Sequence, residues 1–183
     1  MRRLDDERFD LDDRVVFLIG IGGCGMAGLA RMLRSRGAAV AGSDKAPTPV
    51  TEALAGDGFE VSFDQQAGQL PEDIDLVIAS AAIKPDHPEL LAAQSRGIAT
   101  LTYAEALGRA MLGRTAVALA GTHGKSTTTA MLGCAMTDAG LDPTVIVGAT
   151  CAHLDHGALG TEIEERGRAG HAAGFRLGAD AIP

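Results

Sequence analysis

Short, continuous apolar runs alternate along this chain with segments whose apolar residues recur at helical spacing. The run RVVFLIG (14–20) has no polar interruption after its first residue, as expected of a strand covered on both faces of a parallel sheet. Glycines follow, and then MAGLARMLRSRG. There Met26, Leu29, Ala30 and Leu33 fall at i, i+3, i+4 and i+7, one face of a helix that Gly37 can end. AAVAGSD (38–44) predicts a second strand, DLVIAS (75–80) a buried third, and HPELLAAQSRG (87–97) a helix. IATL (98–101) and the helix-like YAEALGRAM (103–111) complete this stretch.

Near residue 114 the pattern restarts. TAVALAG (115–121) predicts a strand, a loop around Lys125 follows, STTTAMLGCAMTDAG (126–140) predicts a helix, and TVIVG (144–148) another strand. From Thr150 the sequence is rich in Gly and Ala and loses any sustained period, with at most a short helix around 162–166. The pattern therefore predicts an α/β chain in two parts. Residues 1–113 form a Rossmann-like parallel-sheet domain, and 114–183 the beginning of a P-loop-type α/β ATP-binding domain. That second part looks cut short, with a poorly ordered tail from about residue 150.

Composition narrows the picture. Aromatic residues make up 3% of the chain and Trp is absent, so aliphatic side chains must fill the core. The formal net charge of −8 argues against a general nucleic-acid binder. An acidic protein still binds nucleotides where backbone N–H groups and a few cations focus positive potential. Three cysteines, an odd number, fit a reducing compartment. The opening MRRLDDERFD lacks the apolar segment of a signal peptide, and no run approaches the roughly 18 apolar residues of a membrane span. A soluble, cytoplasmic protein without membrane partners is expected.

Two glycine loops carry the candidate chemistry. The first, GIGGCGMAG, contains Gly20-x-Gly22-x-x-Gly25 with Gly23 and Gly28 besides, between a predicted strand and a predicted helix. In that setting glycines let the backbone approach a diphosphate seated on the helix N-terminus. Asp44, at the end of the second strand, stands where a carboxylate would meet a ribose. NAD(P) and a UDP-sugar satisfy this pattern equally, and a ligand-free tight turn is the bland alternative. The second loop is GTHGKSTTT. Gly121, Thr122, His123 and Gly124 can wrap N–H groups around phosphate oxygens, Lys125 supplies charge, and the Ser126 hydroxyl can meet Mg²⁺. Its spacing is shorter than the usual G-x-x-x-x-G-K-[ST], which would put a glycine at Leu119. Thr127 and the two threonines after it are weak helix formers, tolerable in a first turn where hydroxyls serve caps or ligands.

Together, GIGGCGMAGLA (20–30), GSD (42–44), SAAIKPDHPEL (80–90) and AGTHGKSTTTAM (120–131) resemble the Mur ligases of peptidoglycan synthesis, in the family's order and over about residues 14–150. GLDPTVIVGA (140–149) continues the likeness. The resemblance implies an ATP-dependent carboxylate–amine ligase, of the type that joins L-alanine to UDP-N-acetylmuramate through an acyl phosphate, with Mg²⁺ as cofactor. It implies that Gly121, Thr122, His123, Gly124, Lys125, Ser126 and Thr127 hold ATP, with Lys125 catalytic and Ser126 on the metal. It places the UDP-sugar, not NAD, against Gly20, Gly22, Gly23, Gly25, Met26, Asp44, Ser80, Ala81, Ala82 and Ile83. The domain that meets the amino acid is absent, and later Mg²⁺ ligands are not recognisable, so this chain alone is expected not to turn over.

Other possibilities are a ligase that attaches a preformed peptide to the same UDP-sugar, a non-catalytic UDP-sugar module, and an NAD(P)-dependent oxidoreductase. The last leaves GTHGKSTTT without a purpose. Weaker signals are Cys151, His153 and His156, which with His171 lack the paired spacing of a zinc site, and Cys24, read as a small filler in the first loop.

Overall fold

The computed structural model describes Phe9, residues 11–66 and 70–149, Cys151, Leu154 and residues 175–178. Its frame is a five-stranded, wholly parallel sheet in the order β3-β2-β1-β4-β5. The strands are β1 (Val15–Ile19), β2 (Ala39–Ser43), β3 (Glu60–Ser62), β4 (Leu76–Ala79) and β5 (Ala99–Thr102). Between and after them run α1 (Cys24–Ser35), α2 (Pro49–Gly56), α3 (Pro88–Ser95) and α4 (Tyr103–Ala110).

Alternation along β1 builds both layers. Val16 and Leu18, with Leu76 and Ile78 of β4, face Leu29 and Leu33 of α1, Leu54 of α2 and Ala106 of α4. Phe17, Ile19 and Val77 point the other way, onto Ala93 of α3 and onto Leu70 and Ile74. Residues on successive positions of a strand reach opposite faces, so one continuous apolar run feeds two cores. Strand order reverses between β1 and β4. Ligands of open α/β sheets bind in the crevice at such a point, beyond the carboxyl ends of the strands.

The α/β class and the elements of 14–44 and 75–111 agree with expectation. Two elements went unread in the sequence. α2 begins at a capping box in which Thr48 and Thr51 exchange side-chain and backbone hydrogen bonds, with Pro49 opening the helix. β3 has three residues, with an exposed Glu60, too short to show a period.

The second part differs more from expectation. α5 (Lys125–Asp138) forms as expected. Residues 115–120 form no strand, and Val117 is 56% exposed. A strand needs a neighbour to complete its ladder, and no described residue pairs with this segment. The strand expected over 144–148 is shorter, β6 (Val145–Ile146), and pairs antiparallel with β7 (Phe175–Arg176), in the tail where no strand was expected. The buried Arg176 secures that pairing through the Pro143 carbonyl at 2.6 Å and the Asp142 carboxylate at 2.5 Å. Ile146 and Phe175 lie against α1, close to where a side chain on Gly28 would stand. The short helix expected around 162–166, and His153, His156 and His171, lie outside the described residues.

Candidate functional site

Three of the stretches singled out in the sequence meet at the reversal point. Residues 20–25 leave the end of β1, Asp44 follows β2, and residues 80–83 follow β4. Hydrogen bonds fasten them together. Gly20 N and Ile21 N donate to the Ser43 carbonyl at 2.8 and 3.0 Å, and Gly22 N donates to Asp44 Oδ2 at 2.7 Å. Asp44 Oδ1 accepts from Lys45 N at 2.7 Å. On the other flank, Ser80 N donates to the Ile19 carbonyl at 3.0 Å and Ile83 N to the Ser80 carbonyl at 3.0 Å.

Glycine is required at two positions for distinct reasons. Gly20 has φ +82°, and a Cβ there would stand 3.0 Å from Ser80 Cβ. Gly22 has ordinary backbone, yet a Cβ would lie 2.6 Å from Thr51 Cγ2 and 2.8 Å from Asp44 Oδ2. Replacing Gly22 with alanine is expected to push Asp44 off the loop amide. It should weaken nucleotide-sugar binding by about tenfold, the scale of one charge-assisted hydrogen bond, in a calorimetric titration.

Gly23 is the N-cap of α1, followed by Cys24, Gly25 and Met26 in its first turn. These turns leave backbone N–H groups without intrahelical partners, the feature that attracts phosphate. Met26 bears on the site only in this way. Its side chain is 3% exposed and packed in the core, so what it can offer a ligand is its amide. Ala81 and Ala82 are exposed, and Ser80 and Ile83 half-buried, on the rim formed after β4.

Two further side chains stand beside this crevice without having been read from the sequence. Tyr103 opens α4, and its hydroxyl stands 2.7 Å from where a Cβ on Gly25 would be. Burial pushes its phenol above the usual tyrosine value. Glu89, in the first turn of α3, is 0% exposed and accepts a 2.6 Å hydrogen bond from Ser43 Oγ. Burial raises its carboxyl above the ordinary glutamate value. The Ser43 hydrogen bond opposes that rise and the charge of Asp64 adds to it. A carboxyl raised on folding stabilises below its unfolded value, and that stability is lost as pH rises through the folded value. Glu89→Gln removes this dependence. Thermal unfolding of the variant should therefore improve relative to the parent as pH rises above the usual glutamate range, and then level off. Parallel melting profiles at all pH values would contradict this.

The second loop stands at the N-terminus of α5. Gly124 is its N-cap with φ +78°, and Lys125, Ser126 and Thr127 form the first turn. Gly121, Thr122, His123, Gly124, Lys125 and Thr127 are exposed and Ser126 is half-buried. The Lys125 ammonium turns back over the loop, donating to the Gly121 carbonyl at 2.5 Å and to the Thr122 carbonyl at 3.3 Å. Free first-turn amides, a central cation and a hydroxyl are thus gathered in one short segment. No cluster of three or more His, Cys, Asp or Glu side chains among the described residues could hold a metal ion. A Mg²⁺ at this loop would be held chiefly by nucleotide phosphates and water, with the hydroxyls of the loop and first turn, Ser126 among them, as the protein donors available.

Comparison with known proteins identifies the family. The model of the Mur ligase family, catalytic domain, matches residues 16–115. The UDP-N-acetylmuramate–L-alanine ligase of Lachnospira eligens is 48% identical over 134 residues, 73% of this chain and 29% of that protein. The enzyme of the same name from Kineococcus radiotolerans is 44% identical over 148 residues, 78% of this chain and 31% of that protein. The chain therefore spans under a third of the length of these relatives. Among solved structures, the UDP-N-acetylmuramate-alanine ligase of Thermotoga maritima superposes with a TM-score of 0.74 at 27% identity, over 89% of this chain and 34% of that one. A UDP-N-acetylmuramate:L-alanyl-gamma-D-glutamyl-meso-diaminopimelate ligase from Neisseria meningitides gives 0.70 at 29% identity, over 90% and 47%. With the doubly wound sheet, the glycine loop at its reversal point and the Lys125 loop beyond it, these likenesses establish that the chain belongs to the Mur ligase family.

Proposed function

We propose that the chain carries the UDP-sugar cradle and the ATP loop of an ATP-dependent ligase that joins L-alanine to UDP-N-acetylmuramate. The observation that carries this reading is the meeting of the 20–25 loop, Asp44 and the 80–83 turn at one crevice, in a chain 44–48% identical to ligases of that name. Residues 1–113 form the nucleotide-sugar domain and 114–183 the opening of the ATP-binding domain. Gly20, Gly22 and Gly23 shape the turn, the Gly22 and Gly23 amides being bonded to Asp44 and to the Gly20 carbonyl. The amides of Gly25 and Met26 receive the diphosphate, and Asp44 stands where a carboxylate meets the ribose. Ser80, Ala81, Ala82 and Ile83 line the far wall.

In the second loop, Gly121, Thr122, His123, Gly124 and Thr127 surround the ATP phosphates. Lys125 neutralises charge on the transferring phosphoryl group and Ser126 joins the Mg²⁺ shell. Mg²⁺ supplies charge neutralisation between the phosphates when bound. The substrates place the protein in the cytoplasm, and no helix among the described residues is long and apolar enough to cross a membrane.

A peptide-adding ligase shares the fold, as the Neisseria likeness indicates, but the identity to alanine-adding relatives favours L-alanine as the acceptor. These residues correspond to under a third of the relatives' length, and by themselves they are expected not to turn over. The 183-residue chain should show no UDP-N-acetylmuramate-dependent release of phosphate from ATP in a colorimetric assay. Substrate-dependent release by this chain would contradict that expectation.

A further inference from the structure

The GSD and SAAIKPDHPEL stretches meet through a pair of side chains that ligand contact does not explain. Ser43 ends β2 and Glu89 lies in the first turn of α3, 46 residues apart, yet they share the 2.6 Å hydrogen bond and both are 0% exposed. Gln65 Nε2 donates to the same Ser43 Oγ at 3.2 Å, so amide, hydroxyl and carboxylate form a directed chain. Glu89 Oε1 is buried without a hydrogen-bond partner among the described residues. His87 Nδ1, also buried and without a hydrogen bond, lies 3.9 Å from Oε2. A core with only packing to satisfy is better served by an apolar side chain, because a buried carboxylate with an unpaired oxygen is costly.

The main chain of Ser43 supplies what that cost maintains. Its carbonyl accepts from Gly20 N and Ile21 N, and its neighbour Asp44 accepts from Gly22 N. The residue gripped by Glu89 is thus the one from which the glycine loop hangs. Residues 80–87, the far wall of the crevice, lead directly into the helix that carries Glu89.

We propose that Glu89 is a positioning residue of the UDP-sugar cradle, fixing the end of β2 through Ser43 and coupling the glycine loop to the 80–87 turn. It acts through Ser43 and not on the substrate. The proposal rests on the UDP-sugar reading above. The ionisable groups that bear on Glu89 are His87, on the approach to α3, and Asp64, after β3. An ionised carboxylate is the stronger acceptor for the Ser43 hydroxyl, so affinity should rise with pH across the carboxyl's titration.

The test titrates UDP-N-acetylmuramate into the full chain and into Glu89→Gln, Ser43→Ala and the double variant, with thermal unfolding recorded for each. Each single variant is expected to bind roughly tenfold more weakly, the scale of a charge-assisted hydrogen bond. The double variant should be no weaker than the poorer single one, because both act through one contact. The rise of affinity with pH should vanish in Glu89→Gln. Affinities and pH profiles unchanged in variants that still unfold cooperatively would overturn the proposal, leaving Glu89 with a packing role only. If Glu89→Gln does not fold, the half-buried Gln65→Ala decides the matter. Weaker binding supports the chain of hydrogen bonds, and parental binding overturns it. A parent chain that fails to bind the UDP-sugar overturns the functional reading instead, and this proposal with it.

Discussion

Lys125→Ala is expected to weaken MgATP binding by about 100-fold, with unfolding unchanged. Two charge-assisted contacts to phosphate, at roughly 1.5 kcal/mol each, combine to this magnitude. Lys125 is exposed, and its ammonium bonds only to the Gly121 and Thr122 carbonyls of its own loop among the described residues, so little folding stability depends on it. Lys125→Arg should recover only part of the loss, since a planar guanidinium does not reproduce a point charge inside a tight loop. The comparison of MgATP titrations of parent and variant by calorimetry reads the effect directly. Equal affinities would show that the loop does not hold the phosphates.

Gly20→Val is the second large effect, expected on the UDP-sugar side. A β-branched residue at φ +82° costs about 1–2 kcal/mol in backbone strain alone. Its Cβ would also stand 3.0 Å from Ser80 Cβ, between the two walls of the crevice. The loop cannot then close on the Ser43 carbonyl, and nucleotide-sugar affinity should fall by about 100-fold or more while the melting temperature drops. Gly56→Ala is the control. Gly56 ends α2 with nothing within 4 Å of the new Cβ, and alanine there should leave binding intact and stability equal or slightly higher. If Gly20→Val binds as the parent does, residues 20–25 are not the nucleotide-sugar loop.

Much of the frame and most of the crevice could be read from local pattern, and the failures have physical causes. RVVFLIG and DLVIAS are uninterrupted apolar runs because both faces of β1 and β4 are covered, and such runs announce themselves. The glycine loops are legible because turns with positive φ at Gly20, Gly121 and Gly124, and a close approach at Gly22, permit few residue types. TAVALAG carries the composition of a strand, yet a strand is a relation between segments, and no described residue supplies the partner. Met26 was placed at the site by its position in the motif. Its side chain belongs to the core because the helical face it shares with Leu29 and Leu33 is the buried one. The Ser43–Glu89 bond joins two stretches that were recognised separately, and no local pattern links residues across the sheet edge. β7 and its pairing with β6 arise in the same way, from a contact distant in sequence.

The central claim, that the crevice beyond β1, β2 and β4 receives a UDP-sugar, is tested most directly by calorimetric titration of UDP-N-acetylmuramate into the purified chain, with NAD⁺ run in parallel. Saturable binding of UDP-N-acetylmuramate with no heat from NAD⁺ is the predicted result. Binding of NAD⁺ in place of the UDP-sugar would contradict it.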